Sequence, residues 1–176
     1  MTVDLETPTR RRSRLPLAAA AVLSLVVLGV LGWQWRHPHA FPGAGNAVGF
    51  NAGQPGTPVF FGVTYPEDGT DVAVTIHDAD VEVVGAGADA TVVVCTLGPQ
   101  DARSVGVVAG DVSDYCTSLV PAAGAELDVG GRHQVLLEVV PDEPGTLRID
   151  GVDLLYSQGW QRGWQRIGST YTVRTG

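Results

Sequence analysis

From Leu15 to Trp33 the chain runs without a single charge, apolar apart from Ser24 and three Gly or Pro residues, and Gln34 and Trp35 complete the segment LPLAAAAVLSLVVLGVLGWQW. At about 1.5 Å of rise per residue, such a stretch reaches about 28 Å, close to the roughly 30 Å hydrocarbon thickness of a bilayer. The pattern predicts one transmembrane helix over residues 15–35. Arg10, Arg11, Arg12 and Arg14 stand just before it and only Arg36 directly after, so the positive-inside rule keeps residues 1–14 in the cytoplasm and puts the C-terminal part outside the cell membrane. Trp33 and Trp35 fall where indoles sit at headgroup level. A secretory h-region is shorter and has a small-residue cleavage site close behind it. Here bulky WQWRHPH follows the run, which favours an uncleaved anchor.

Charge divides the chain in the same place. Residues 37–176 hold 17 acids against 6 arginines, and residues 1–36 hold 5 arginines against 2 acids. An exterior this acidic is repelled by phosphate backbones and anionic lipid heads, so nucleic acid is excluded as a partner. Lysine is absent while Ala, Gly, Val, Asp and Arg abound, the bias of a high-GC bacterial genome.

Residues 36–57 contain five glycines and three prolines without periodicity, the composition of a flexible linker. From Pro58 onward the chain reads as short β-runs between turns: VFFGVTY before Pro66-Glu67-Asp68-Gly69, the alternation of Val72, Val74 and Ile76, then Val81–Val84 and TVVVCTL flanking a glycine-rich turn as a hairpin. Val105–Val108, QVLLEVV, TLRIDGVDLLY and TYTVR complete seven or eight strands, and Asp111–Leu119 is open between a short helix and an irregular crossover. No helical period persists. This spacing predicts an all-β domain over residues 58–176, an antiparallel sandwich of immunoglobulin-like kind, with the corner Pro141–Gly145 as a crossing between sheets.

Cys95 and Cys116 are the only cysteines, and on the oxidising side of a membrane they are expected as a structural disulfide. Their spacing is not the C-x-x-C of a redox pair. Gly85-Ala86-Gly87-Ala88-Asp89-Ala90 matches G-x-G-x-x-A, but a strand rather than a helix follows, so no dinucleotide cofactor is expected. His77, Asp78 and Asp80 are the candidate metal ligands; a turn between strands collects Asp in any case, which makes them the weaker reading. His37 and His39 flank a proline in the linker and form no preorganised cage. No G-x-S-x-G or H-E-x-x-H occurs, so an enzyme is not expected.

The distinctive piece is the tandem Gly159-Trp160-Gln161-Arg162-Gly163-Trp164-Gln165-Arg166. Two glycines so close disfavour helix, and in extended chain Trp160, Arg162, Trp164 and Arg166 share one face. Guanidinium planes can then stack between indoles as a structural ladder, or the indoles can serve as an open binding face. The alternation resembles, in logic only, the tryptophan–arginine ladder of WSxWS-bearing fibronectin type III domains of cytokine receptors. The stretch TLRIDGVDLLYSQGWQRGWQRIG resembles the C-terminal part of actinobacterial single-pass membrane-anchored proteins with an extracytoplasmic β-sandwich. That resemblance implies no activity. The sequence leads us to expect a binding or structural module of the cell envelope, with an envelope protein or glycan as partner; the alternative is a glycan- or metal-handling envelope enzyme or accessory protein.

Overall fold

The computed structural model describes residues 15–36, 39–41, 45–65, 72–98 and 104–176, in two compact units, Met1–Trp35 and Arg36–Gly176. The basic tail, His37 and the turn after Tyr65 lie outside the described residues. In the first unit, helix α1 (Leu15–Arg36) has 22 residues. Its side chains are described only from Ala20 to Gln34. Among the described residues no helix is long and apolar enough to cross a membrane. Within that stretch Leu23, Leu25 and Leu28 are exposed on different sides of the helix. The Ser24 hydroxyl donates to the Ala20 carbonyl at 2.9 Å, so the hydroxyl there is satisfied by its own helix.

The second unit is built of strands: β1 (Ala47–Gly53), β2 (Val59–Gly62), β3 (Val72–Asp80), β4 (Val83–Gly85), β5 (Ala88–Leu97), β6 (Val107–Ala109), β7 (Cys116–Pro121), β8 (Glu126–Val129), β9 (His133–Pro141), β10 (Gly145–Gln158) and β11 (Gln161–Thr175). They form two sheets. Sheet A runs β1-β11-β10-β3-β8, with β4 also on β10, and sheet B runs β6-β2-β9-β5-β7. All the pairings are antiparallel except β1 with β11. Alternate residues of facing strands meet between the sheets: Val59, Phe61, Leu137 and Val139 from sheet B pack with Ile76, Ile149, Leu154, Tyr156 and Tyr171 from sheet A. The Phe61 and Tyr171 rings lie 5.0 Å apart. Each such side chain stabilises the fold by about 1.5–3 kcal/mol. The all-β expectation therefore stands, as two packed sheets.

The middle of sheet B is also covered on its other face. Phe60, Val93, Cys95, Leu97 and Leu136 point away from sheet A and pack with Val105, Val112 and Cys116 of the segment between β5 and β7. That is why QVLLEVV is a nearly continuous apolar run rather than an alternating one. Two devices hold the cover. The disulfide joins Cys95 to Cys116 with Cα atoms 5.4 Å apart, within one sheet, because β5 and β7 are neighbours. The wholly buried Gln134 accepts from the Val105 N–H and donates to the Val105 carbonyl, both at 2.8 Å. Gly62 is where the cover comes closest, since a Cβ there would stand 2.1 Å from the Val105 oxygen.

Three sequence expectations need correction. The stretch read as a linker contains β1, and Ala40 and Phe41 ahead of it are buried in the core. Its glycines misled, because an edge strand paired on one side needs few apolar residues. The runs around Gly85–Ala90 are not a hairpin: β4 pairs with β10 in sheet A, whereas β5 pairs with β9 and β7 in sheet B, so the turn crosses between sheets. Asp111–Leu119 is neither helix nor crossover alone, but a turn leading into β7. The corner Pro141–Gly145 does pass from sheet B to sheet A.

Two outcomes follow from the cover. Replacing Cys95 with Ala opens a crosslink across a sequence separation of 21 and should lower the unfolding free energy by about 3 kcal/mol, read by denaturant titration against the oxidised parent. Gln134→Leu leaves both polar groups of Val105 without their partner, and a loss of about 2 kcal/mol or more is expected by the same measurement.

Candidate functional site

The middle of sheet B is covered on both sides, while its β7 edge and the start of β5 meet water; the broader open face is the outer face of sheet A. Register lays it out in rows. Glu126 of β8 stands beside Thr75 of β3, Thr75 beside Ser157 of β10, and Ser157 beside Arg162 of β11. The next row is Asp78, Leu155 and Trp164, and the one after it Asp80, Asp153 and Arg166. A bulge in β3 between Ile76 and Asp78 turns His77 and Asp78 both to solvent, and His77 Nε2 lies 2.9 Å from the Ser157 hydroxyl. The residues singled out in the sequence as metal ligands and those of the GWQR repeat thus occupy one face, joined through β10.

The repeat divides unequally. Gly159 and Trp160 form the two-residue turn of the β10–β11 hairpin, where Gly159 takes φ 58°, the left-handed conformation such a turn requires. The second copy lies within β11: Gly163 faces the core and Trp164 faces out. Trp160 is 79% exposed and Trp164 59%. Arg162 is exposed as well. Arg166 is held by a carboxylate rather than stacked: its Nε and one terminal nitrogen donate to the two oxygens of Asp153 at 2.7 and 2.5 Å. That bidentate contact, with the Asp153 charge behind it, raises the pKa of the guanidinium. Trp164 and Arg162 make no side-chain hydrogen bond, ion pair or ring contact among the described residues.

The opposite face of the same hairpin is anchored. The Tyr156 hydroxyl donates to Gln165 Oε1 at 3.1 Å and accepts from the Ala40 N–H at 3.0 Å, and Gln165 Nε2 donates to the Phe41 carbonyl at 2.8 Å. Phe41 meets the Tyr156 ring edge-on at 5.0 Å. Burial raises the Tyr156 pKa, so the phenol keeps its proton and can donate. Trp164 is therefore displayed on a stiff backbone.

Sequence reading missed the far side of the face. A groove of about 450 Å³ opens between β8, β3 and the hairpin tip, lined by Thr75, Glu126, Asp128, His133, Ser157 and Gly159. Its acids come from Glu126-Leu127-Asp128, where Leu127 is buried and both carboxylates point out. That polar–apolar–polar alternation is the signal that identifies a strand here, but only the register places it beside Ser157. Asp78 and Asp80 each accept from the following residue's N–H, a local turn contact. Among the described residues no three of His, Cys, Asp and Glu gather in metal-binding geometry.

No protein-family model, curated protein or solved structure matches the chain. The site is therefore argued from its own geometry.

Lower on the same face Arg148 pairs with Asp150 at 2.8 Å, and the Thr170 hydroxyl donates to the same carboxylate. Arg148 first, then Thr170, holds the Asp150 carboxyl below the ordinary carboxylate range. A depressed folded-state pKa contributes stability that is present at neutral pH and is lost as pH falls from the ordinary range through the lowered value. Asp150→Asn should flatten the acid limb of a stability–pH profile measured by denaturant unfolding, while leaving its shape above that range unchanged.

Proposed function

We propose that this chain is a single-pass membrane-anchored protein of the bacterial cell envelope, with residues 1–14 cytoplasmic. Its extracytoplasmic domain, immunoglobulin-like in topology, serves as a binding module, and the outer face of sheet A is its docking surface. The observation that carries the reading is the exposure of Trp160 and Trp164 at 79% and 59% on the outer face and hairpin tip of sheet A. Large exposed aromatics on a rigid strand mark interaction sites, since their area is better buried.

The anchor reading draws on the full length of α1. Its 22 residues rise about 33 Å, a bilayer's hydrocarbon thickness. The reading rests on the sequence from Leu15 to Trp33, which carries no charge and whose one hydroxyl, Ser24, bonds to its own backbone, a composition suited to lipid. The Cys95–Cys116 disulfide fits an oxidising compartment. The strand order β2-β9-β5 facing β1-β11-β10-β3 supports the immunoglobulin-like reading: the long β10–β11 hairpin lies beside β3, and β1 runs parallel to the last strand. The likeness to actinobacterial membrane-anchored proteins belongs to the same proposal.

Two measurements test it. In cells stripped of wall and treated with external protease, a tag at residue 176 should be lost and a tag at residue 1 protected; the reverse pattern would refute the topology. Trp164→Ala should leave unfolding stability within about ±0.5 kcal/mol, as expected for a surface change, yet remove the partners that co-purify from gently solubilised membranes. A variant that destabilises the domain and keeps its partners would make Trp164 structural instead.

A further inference from the structure

We infer that the outer face of sheet A binds an uncharged polysaccharide, a chain of pyranose rings that lies across the strands with one ring stacked on the Trp164 indole. The inference deepens the reading of that face as the docking surface and rests on it.

The hydrogen-bonding groups of the face are ordered along one row. Glu126, Thr75, Ser157 and Arg162 stand side by side on β8, β3, β10 and β11, so the row spans three strand spacings, about 14 Å. In order they are an acceptor, two hydroxyls that both donate and accept, and a donor. Thr75, Glu126 and Ser157 line the same open groove, and Arg162 is exposed beside it. Neither Glu126 nor Arg162 makes an ion pair among the described residues. One carboxylate and one guanidinium leave the row without net charge, and its donors and acceptors remain open to a ligand that carries both.

Trp164 supplies the apolar half. It follows Arg162 by two residues on the same face of β11, about 7 Å along the strand, and is 59% exposed with Leu155 beside it in the next row. An exposed indole with an aliphatic neighbour is a flat apolar platform. A pyranose ring matches the pair, because its face is lined by C–H bonds and its rim by hydroxyls that donate and accept.

Other ligands fit one half only. A basic segment meets the Arg162 guanidinium beside the indole. An acidic one meets Glu126, Asp78 and Asp80 on a domain whose residues 37–176 hold 17 acids against 6 arginines. An apolar surface would desolvate these charges without replacing their hydrogen bonds. An added β-strand would run along the strands, whereas the row crosses them.

The test titrates the full chain, in a zwitterionic detergent without a sugar headgroup, by calorimetry at about 50 and about 500 mM salt. The probes are cellohexaose, chitohexaose and mannan, with polygalacturonate and an arginine–glycine peptide as charged comparators. Three variants accompany the parent, their thermal midpoints checked against it: Trp164→Ala, Trp164→Phe and the double variant Glu126→Ala/Arg162→Ala. The expected result is saturable binding of at least one uncharged glycan with the same affinity at both salt concentrations. Trp164→Ala and the double variant should each weaken it about tenfold, the scale of a lost stack or of lost charge-assisted hydrogen bonds, while Trp164→Phe keeps a stacking face and most of the affinity. Binding of a charged comparator alone, lost at the higher salt, would overturn the ligand class. Glycan binding that neither Trp164→Ala nor the double variant weakens would put the site elsewhere and overturn the inference, as would failure of all three glycans to bind. The docking face itself is judged separately, by whether Trp164→Ala loses the partners that co-purify from membranes, so the two readings fail independently.

Discussion

Burial of the central strand of sheet B, β9, on both faces is the constraint from which the rest of the domain follows. One face packs on sheet A and the other lies beneath the segment between β5 and β7, so β9 has almost no polar position to give to solvent. A strand buried on both sides must satisfy every backbone and side-chain polar group internally. Gln134 does so by meeting both polar groups of Val105, and no buried side-chain polar atom among the described residues is left without a partner. Sheet A meets water across its outer face. Its outward positions are mostly Asp, Glu, Arg, Ser and Thr, with Trp164, Leu155 and Val84 as apolar exceptions.

Much of the fold is legible in the chain because period-two alternation is a local property. The strands β3, β9, β10 and β11 can be read directly, and the single cysteine pair leaves only one possible disulfide. What local pattern does not encode is which sheet a strand joins. The glycine-rich stretch Gly85–Ala90 looks like a hairpin turn from either side, and only its partners, β10 for one strand and β9 for the other, reveal a crossing. β1 was hidden for a different reason. Its sequence AVGFNAG is stabilised by the ladder with β11 and by a few half-buried side chains, so composition alone makes it a linker.

The candidate site divides along the same line. The GWQR repeat stands out in one dimension, and its alternation does place Arg162, Trp164 and Arg166 on one face. The repeat's symmetry is nevertheless broken by the fold, since the first Gly-Trp makes a turn and the second a strand. Asp153 as the partner of Arg166, and Glu126 with Asp128 across from Ser157, come from two other strands, β10 and β8. Nothing near any of them in sequence points to the repeat. Rows of a sheet join residues separated by eighty positions or more, as His77 and Ser157 are.

The attachment of Ala40 and Phe41 to Tyr156 and Gln165 also determines how the domain carries load. The chain enters alongside the β10–β11 hairpin, on the strand pair that displays Trp164. A pull on residue 36 against anything gripping that hairpin is borne first by three hydrogen bonds and one ring contact. Beyond them lies the parallel β1–β11 ladder. Sheet B and its disulfide lie outside this path. The domain is thus braced along one short line between its entering chain and that hairpin.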